Sequence, residues 1–169
     1  MLFIVTLSIA QGVTMIDEKD FRQALGRFAT GVTIVTVEHE GNIRGITVSA
    51  FMSLSLEPPL VAICIDKNAQ AHTPLMRAER YGVSVLAADQ TSISNHFAGM
   101  PNLEDDPFTK VQDMPVIAEA LATIICTVDA NYDVGDHTLL VGRVTHLQWR
   151  EDAEPLLYYR GRYGDFDQQ

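Results

Sequence analysis

Thr47, Ser49, Ser53 and Ser55 fall on alternate positions of the run GITVSAFMSLSLEPP (45–59), with Phe51 among them. Ile46, Val48, Ala50, Met52, Leu54 and Leu56 occupy the positions between. A period of two marks an extended strand with one face in the core. The even positions are the expected core face. The odd face then carries four hydroxyls and one ring, with no charge before Glu57. Such a face suits a ligand with a polar tail and a flat body. A Ser/Thr-rich strand that merely meets water satisfies the same alternation.

Other chemistries have little support. No GxGxxG follows a strand and no phosphate loop ends in GK[ST], which removes the common nucleotide folds. His39, His72, His96, His137 and His146 show none of the paired spacings of metal sites, so no metal is expected. No G-x-S-x-G elbow activates a serine, which argues against a hydrolase. Net charge is −10, from 22 acidic and 12 basic side chains. That field repels phosphate backbones and anionic lipid, so neither nucleic acid nor a membrane surface is an expected partner. An anionic cofactor could bind only through local amides, hydroxyls and a few placed cations. Cys64 and Cys126 lie in apolar, β-branched runs and read as buried free thiols in a reduced, cytoplasmic setting.

A chain of 169 residues fits one domain. Leu2 to Ala10 is apolar but far shorter than the ~20 residues that span a bilayer. Residues 1–14 are read as an extension or added arm, and 15–169 as the domain proper. Asp17 and Asp20 resemble a capping box, and Phe21, Ala24, Leu25 and Phe28 mark one helical face that Gly31 would end. Strands are expected over 32–38, over the alternating run, over 60–65 and over 81–87. Thr73-Pro74 starts a short helix reaching towards Tyr81, and Thr91 to Phe97 forms another, closed by Gly99. Residues 100–115 read as a long acidic loop and 116–121 as one helical turn. Two long strands, 122–132 and 138–149, are joined across DVGDH, and the tail is aromatic. The total is about six strands, mostly joined as hairpins, with short helices inserted. A mainly β protein built as a closed or half-closed antiparallel barrel is the economical solution.

Five segments stand in one order: FATGVTIVT (28–36), GITVSAFMSLSLEPPLVAICIDK (45–67), SISNHFA (92–98), GDHTLLVGRV (135–144) and PLLYYRGRYG (155–164). Together they resemble the flavin reductase-like family, from Asp17 to Phe166, and within it the small reductase components of two-component flavin monooxygenases. The resemblance implies a six-stranded antiparallel split β-barrel of Greek-key type that binds FMN. It places Thr47, Val48, Ser49 and Ala50 against the isoalloxazine and ribityl groups, and Ser53 and Ser55 nearer the phosphate. Asp66, Lys67 and Asn68 would contact the cofactor tail, with Lys67 as the cation. Thr30 and Gly31 would meet the flavin edge, where Gly31 lets a backbone amide approach. His137 matches the nicotinamide side of the pocket and is the catalytic candidate. Tyr159, Arg160 and Tyr163 match an aromatic motif near the active site, or pack at a subunit interface. Phe97 borders the cofactor or, as preferred, packs in the core.

The implied reaction is hydride transfer from C4 of NADH or NADPH to N5 of FMN, with FAD as the other flavin. The protein would hold two rings about 3–3.5 Å apart, and the cofactors supply the chemistry. Reduced flavin would leave for an oxygenase partner, and a homodimer is expected. A flavin carrier or sensor without turnover, or an interaction protein with no cofactor, are the competing readings.

Overall fold

The computed structural model describes residues 16–100 and 103–166. The expected extension at 1–14 lies outside them. In chain order the elements are α1 (Glu18–Leu25), β1 (Thr30–Gly31), β2 (Thr33–His39), β3 (Asn42–Val48), β4 (Phe51–Leu56), β5 (Pro59–Asp66), α2 (His72–Arg77) and β6 (Arg80–Val85). There follow α3 (Thr91–Phe97), β7 (Phe108–Val111), β8 (Met114–Ile117), β9 (Ala122–Val134), β10 (His137–Trp149), β11 (Leu157–Tyr159) and β12 (Arg162–Gly164). The protein is mainly β with a few short helices.

Among the described residues the main sheet has seven strands, in the order β3-β2-β6-β9-β10-β5-β4, where about six were expected. All its pairings are antiparallel. Its two edge strands, β3 and β4, are consecutive in sequence and joined only by Ser49 and Ala50. The sheet therefore curls until its edges approach one another at that corner without pairing.

The alternating run is thus two strands, and this corrects the expected core face. Val48 is buried, Ser49 and Ala50 are both exposed, and Phe51 is half-buried. Two outward residues in succession break the alternation, so Phe51 rather than Met52 turns towards the core. Met52, Leu54 and Leu56, expected in the core, are 51%, 46% and 95% exposed. A register shift between Ser53 and Ser55 adds a bulge at Leu54.

Two further expectations fail. Asp17 does cap α1, its Oδ1 accepting from the amides of Lys19 (2.8 Å) and Asp20 (3.2 Å). The helix nevertheless stops at Leu25, capped by Gly26, and no residue of it is buried. Thr30 and Gly31 instead pair with Tyr158 and Leu157 of β11. The supposed loop and helical turn over 100–121 contain the β7–β8 hairpin, turning through Gln112 and Asp113, both at positive φ. All four residues of β8 are buried. That burial outweighs the proline and acidic residues that suggested a loop.

One core cluster gathers Val35, Ile63, Ile65, Tyr81, Leu140 and Cys126. A second, with Ile34, Leu86, Ile117 and Leu156, receives Phe97 and Tyr163 on its flank. Burial pushes the Cys126 thiol up to about 11. Cys64, expected to be buried, is only partly so. Its pKa is also raised, by that partial burial and by the negative charge of Asp136. Among the described residues no helix is long and apolar enough to cross a membrane.

Candidate functional site

The corner between β3 and β4 opens into a pocket of about 270 Å³. Val32, Thr47 and Ser49 form one wall, and Ser94 and Asn95 of α3 with its C-cap Ala98 form another. The β11–β12 hairpin closes it with Tyr158, Gly161 and Tyr163. The wall between sheet and helix is fixed by the Thr47 hydroxyl, which donates to the Ser94 carbonyl at 2.7 Å. The hairpin is pinned to α3 by the Tyr163 hydroxyl, 2.9 Å from both Ser94 Oγ and Asn95 Oδ1. Tyr158 and Tyr163 meet edge to face at 5.5 Å between centroids. Among the described residues no charged side chain lines this pocket.

The sequence candidates divide into groups. Thr47, Ser49 and Tyr163 line the pocket directly. Val48 turns its side chain into the core and can offer only backbone. The Ala50 carbonyl accepts from Cys64 at 3.1 Å, tying the corner to β5. Ser53 and Ser55 lie further along β4, outside the lining. Thr30 pairs with the pocket residue Tyr158, and its Oγ1 is buried with no hydrogen-bond partner among the described residues. Beside it, a Cβ on Gly31 would meet nothing within 4 Å. The unused hydroxyl of Thr30 and the open space at Gly31 lie on opposite faces of β1, and neither residue is in the pocket lining.

A second group assembles where β5 and β10 meet. His137 pairs with Asp66. Asp66 Oδ1 accepts from the Asn68 amide at 2.7 Å and from its side chain at 3.2 Å. Lys67 is already engaged: Nζ donates to the Gly135 carbonyl at 2.8 Å and lies 3.1 Å from Asp133. His137 Nδ1 is 2.7 Å from Asp136 Oδ1. The Ala50–Cys64 hydrogen bond ties the corner to β5, the strand that ends in Asp66.

The hydrogen bond from His137 holds the Asp136 carboxyl below its ordinary value. Its own backbone, the His137 charge and Lys67 act in the same direction. A depressed carboxylate pKa adds stability above its unfolded value, and that stability is lost as pH falls through the folded one. The carboxyl of Asp136 in His137→Ala is therefore expected to titrate higher, back towards 3.8. A carboxylate NMR titration reads this directly, and an unmoved midpoint would remove the contact from the site.

Sequence reasoning singled out Tyr159, whereas Tyr158 lines the pocket. Adjacent strand residues face opposite ways, and Tyr159 instead lies under the Arg160 guanidinium, 5.4 Å from ring centroid to carbon. Ser94, Asn95 and Gly161 were not proposed as contacts, although SISNHFA and YYRGRYG contain them. Only the fold brings α3 and the C-terminal hairpin onto the β3–β4 corner.

Residues 25–167 match the family model described as flavin reductase like domain. The chain is 45% identical over 146 residues to an NADH-dependent flavin reductase of a Rhodococcus species, covering 84% of this chain and 82% of that protein. It is 40% identical over 147 residues to the reductase component of 4-hydroxyphenylacetate 3-monooxygenase from Thermus thermophilus, covering 85% and 93%. Among solved structures, a flavin reductase in its native state superposes with a TM-score of 0.86 at 40% identity, covering 90% of this chain and all of that one. A Streptomyces globisporus NADH:FAD oxidoreductase, solved with NAD and FAD fragments, superposes with a TM-score of 0.84 at 35% identity, covering 89% and 93%. On the strength of these matches, and of a site built at the corner where the fold leaves its sheet open, the chain belongs to the flavin reductase-like family.

Proposed function

We propose that this protein is an NADH-dependent flavin reductase that delivers reduced flavin to a separate monooxygenase. The observation that carries the reading is the uncharged pocket at Thr47 and Ser49, whose lining residue Tyr158 pairs with Thr30 and its orphaned hydroxyl. Relatives named as NADH-dependent flavin reductases and as reductase components of two-component monooxygenases support it.

When bound, the flavin accepts a hydride from C4 of the reduced nicotinamide, so no nucleophile is asked of the protein. The chain's task is to hold, orient and exclude water. Ser49 would donate to the ring system, Thr30 would satisfy its hydroxyl on the same ligand, and Gly31 would leave the ring edge room. Thr47 would act through α3, because its hydroxyl is spent on Ser94. Val48 and Ala50 would contribute backbone. Ser53, Ser55, Asp66, Lys67 and Asn68 would serve the polar tail, with Lys67 exchanging Asp133 for a phosphate. His137, its Nδ1 fixed by Asp136, would present Nε2 to the nicotinamide. Tyr159 would bear on the site only through Arg160.

FMN is the proposed flavin, with FAD as the alternative. A homodimer belongs to the same reading: Met52, Leu54 and Leu56 on the edge strand, with Phe21, Leu25 and Phe28 at α1, leave large apolar side chains exposed. The approach of β3 to β4 supports closure as the family's split barrel, and a cytoplasmic location would keep both thiols reduced. The domain would extend over 15–169.

Steady-state oxidation of NADH and NADPH with FMN, FAD and riboflavin tests the activity. Turnover within the ordinary enzymatic range of about 1–10³ s⁻¹ is expected with NADH and FMN. Flavin uptake without NADH oxidation would leave a carrier, and no uptake would overturn the reading. Light scattering at a monomer mass would remove the dimer.

A further inference from the structure

A cleft of about 740 Å³ lies beside the pocket, between α1 and the β11–β12 turn. Gly161 borders both cavities, so the two are neighbours on the protein surface. Lys19, Arg22, Arg27 and Arg160 line this cleft, a third of the 12 basic residues in a chain of net charge −10.

The acidic residues in its walls are already committed. Asp17 spends its carboxylate on the first amides of α1. Glu18 pairs with Arg22 at 2.6 Å. Among the described residues, Arg27 and Arg160 make no ion pair with any carboxylate. Their spacing is set by the backbone: the Arg160 amide donates to the Gly26 carbonyl at 3.0 Å, which locks the hairpin turn against the end of α1. Arg160 and Gly161 both hold positive φ in that turn, 53° and 78°. The Arg160 guanidinium rests over the Tyr159 ring, which limits its freedom before any ligand arrives.

Four cations against the two carboxylates of Asp17 and Glu18 leave the cleft net positive, a local anion trap in an acidic protein. Guanidinium pairs favour phosphate oxygens in bidentate geometry. The volume falls within the range of small-molecule sites and leaves room for a nucleotide. We propose that Arg27 and Arg160 hold the phosphate-bearing adenylyl end of a dinucleotide whose reactive ring lies in the adjoining pocket. The inference rests on the flavin reductase reading and names what that reading leaves open. FAD and the nicotinamide dinucleotide share this chemistry, whereas FMN and riboflavin lack the adenylyl end.

The test uses the full-length Arg27→Gln/Arg160→Gln variant beside the Lys/Lys variant, both checked for fold by circular dichroism. If the cleft serves FAD, the Gln pair weakens FAD binding about ten-fold while FMN and riboflavin affinities stay at wild type. If it serves the nicotinamide, KM for NADH rises about ten-fold and the three flavin affinities are unmoved. Either outcome, with partial recovery in the Lys pair, supports the inference. An FAD affinity and a KM both at wild type would overturn it. So would an equal loss for FAD, FMN and riboflavin, which would mark a change in the ring pocket. Wild-type protein that neither takes up flavin nor oxidises NADH would overturn the functional reading itself, and that is read before any variant.

Discussion

Ser49→Asp is expected to raise the dissociation constant for FMN by about 100-fold or more, beyond the range of an ordinary titration. Ser49 stands at the corner where the sheet leaves its edges unpaired, and its side chain lines the pocket with Thr47, Ser94 and Tyr158. None of the described residues lining that pocket carries charge, so an introduced carboxylate would find no counter-ion among them. It would lose its hydration when the ring enters, and it would repel the flavin phosphate. Both terms act on the complex and leave the free protein nearly untouched, because Ser49 is exposed before binding. Thermal stability should therefore hold while binding disappears. Ser49→Ala removes only one hydrogen bond and should cost about ten-fold or less. Flavin fluorescence titration separates the two variants. Wild-type affinity in Ser49→Asp would place the flavin elsewhere.

How much of this was legible in the chain depends on what each signal reports. Period and composition report local structure, and they located the β2–β3 hairpin, the two long strands β9 and β10, and α3 with the same bounds as the structure. They failed where tertiary pairing outweighed local preference. Thr30 and Gly31 left the expected helix because β11, more than a hundred residues away, offers them a partner. Met114–Ile117 reads as loop and turn, yet it packs as a strand against β2 and β6. The alternation from Ile46 to Leu56 was real, but a period cannot show that two successive residues face outward at a corner. That corner reversed the faces and carries the site. The ordered motifs supplied Thr47, Ser49 and Tyr163, but their meeting with Ser94, Asn95 and Tyr158 needed the fold, since β3, α3 and the C-terminal hairpin share no sequence neighbourhood. Tyr158 rather than Tyr159 faces inward because pairing with Thr30 sets the register.

The second large effect is expected at Gly45, where fold and site depend on the same few ångströms. A Cβ there would stand 2.6 Å from Phe97 Cε1 and 2.7 Å from Cδ1, inside any real contact. The ring has little room to retreat. It is tilted against Phe108 at 5.7 Å and packed on the second core cluster. Relief must come from moving α3 away from β3, which pulls on the Thr47–Ser94 hydrogen bond and on the Tyr163 pins. Overpacking of this kind costs about 1–3 kcal/mol. At about 2–4 °C per kcal/mol for a chain of this size, Gly45→Ala should lower Tm by roughly 5 °C. Unlike Ser49→Asp, it should weaken FMN and riboflavin alike, because it widens the pocket without adding charge. Adding Phe97→Leu to Gly45→Ala tests the cause. If the ring is the obstacle, the double variant is more stable than the sum of the two single losses by at least ~0.5 kcal/mol, and flavin affinity recovers with it. Strict additivity would mean that α3 is held in place by something other than the Gly45–Phe97 approach.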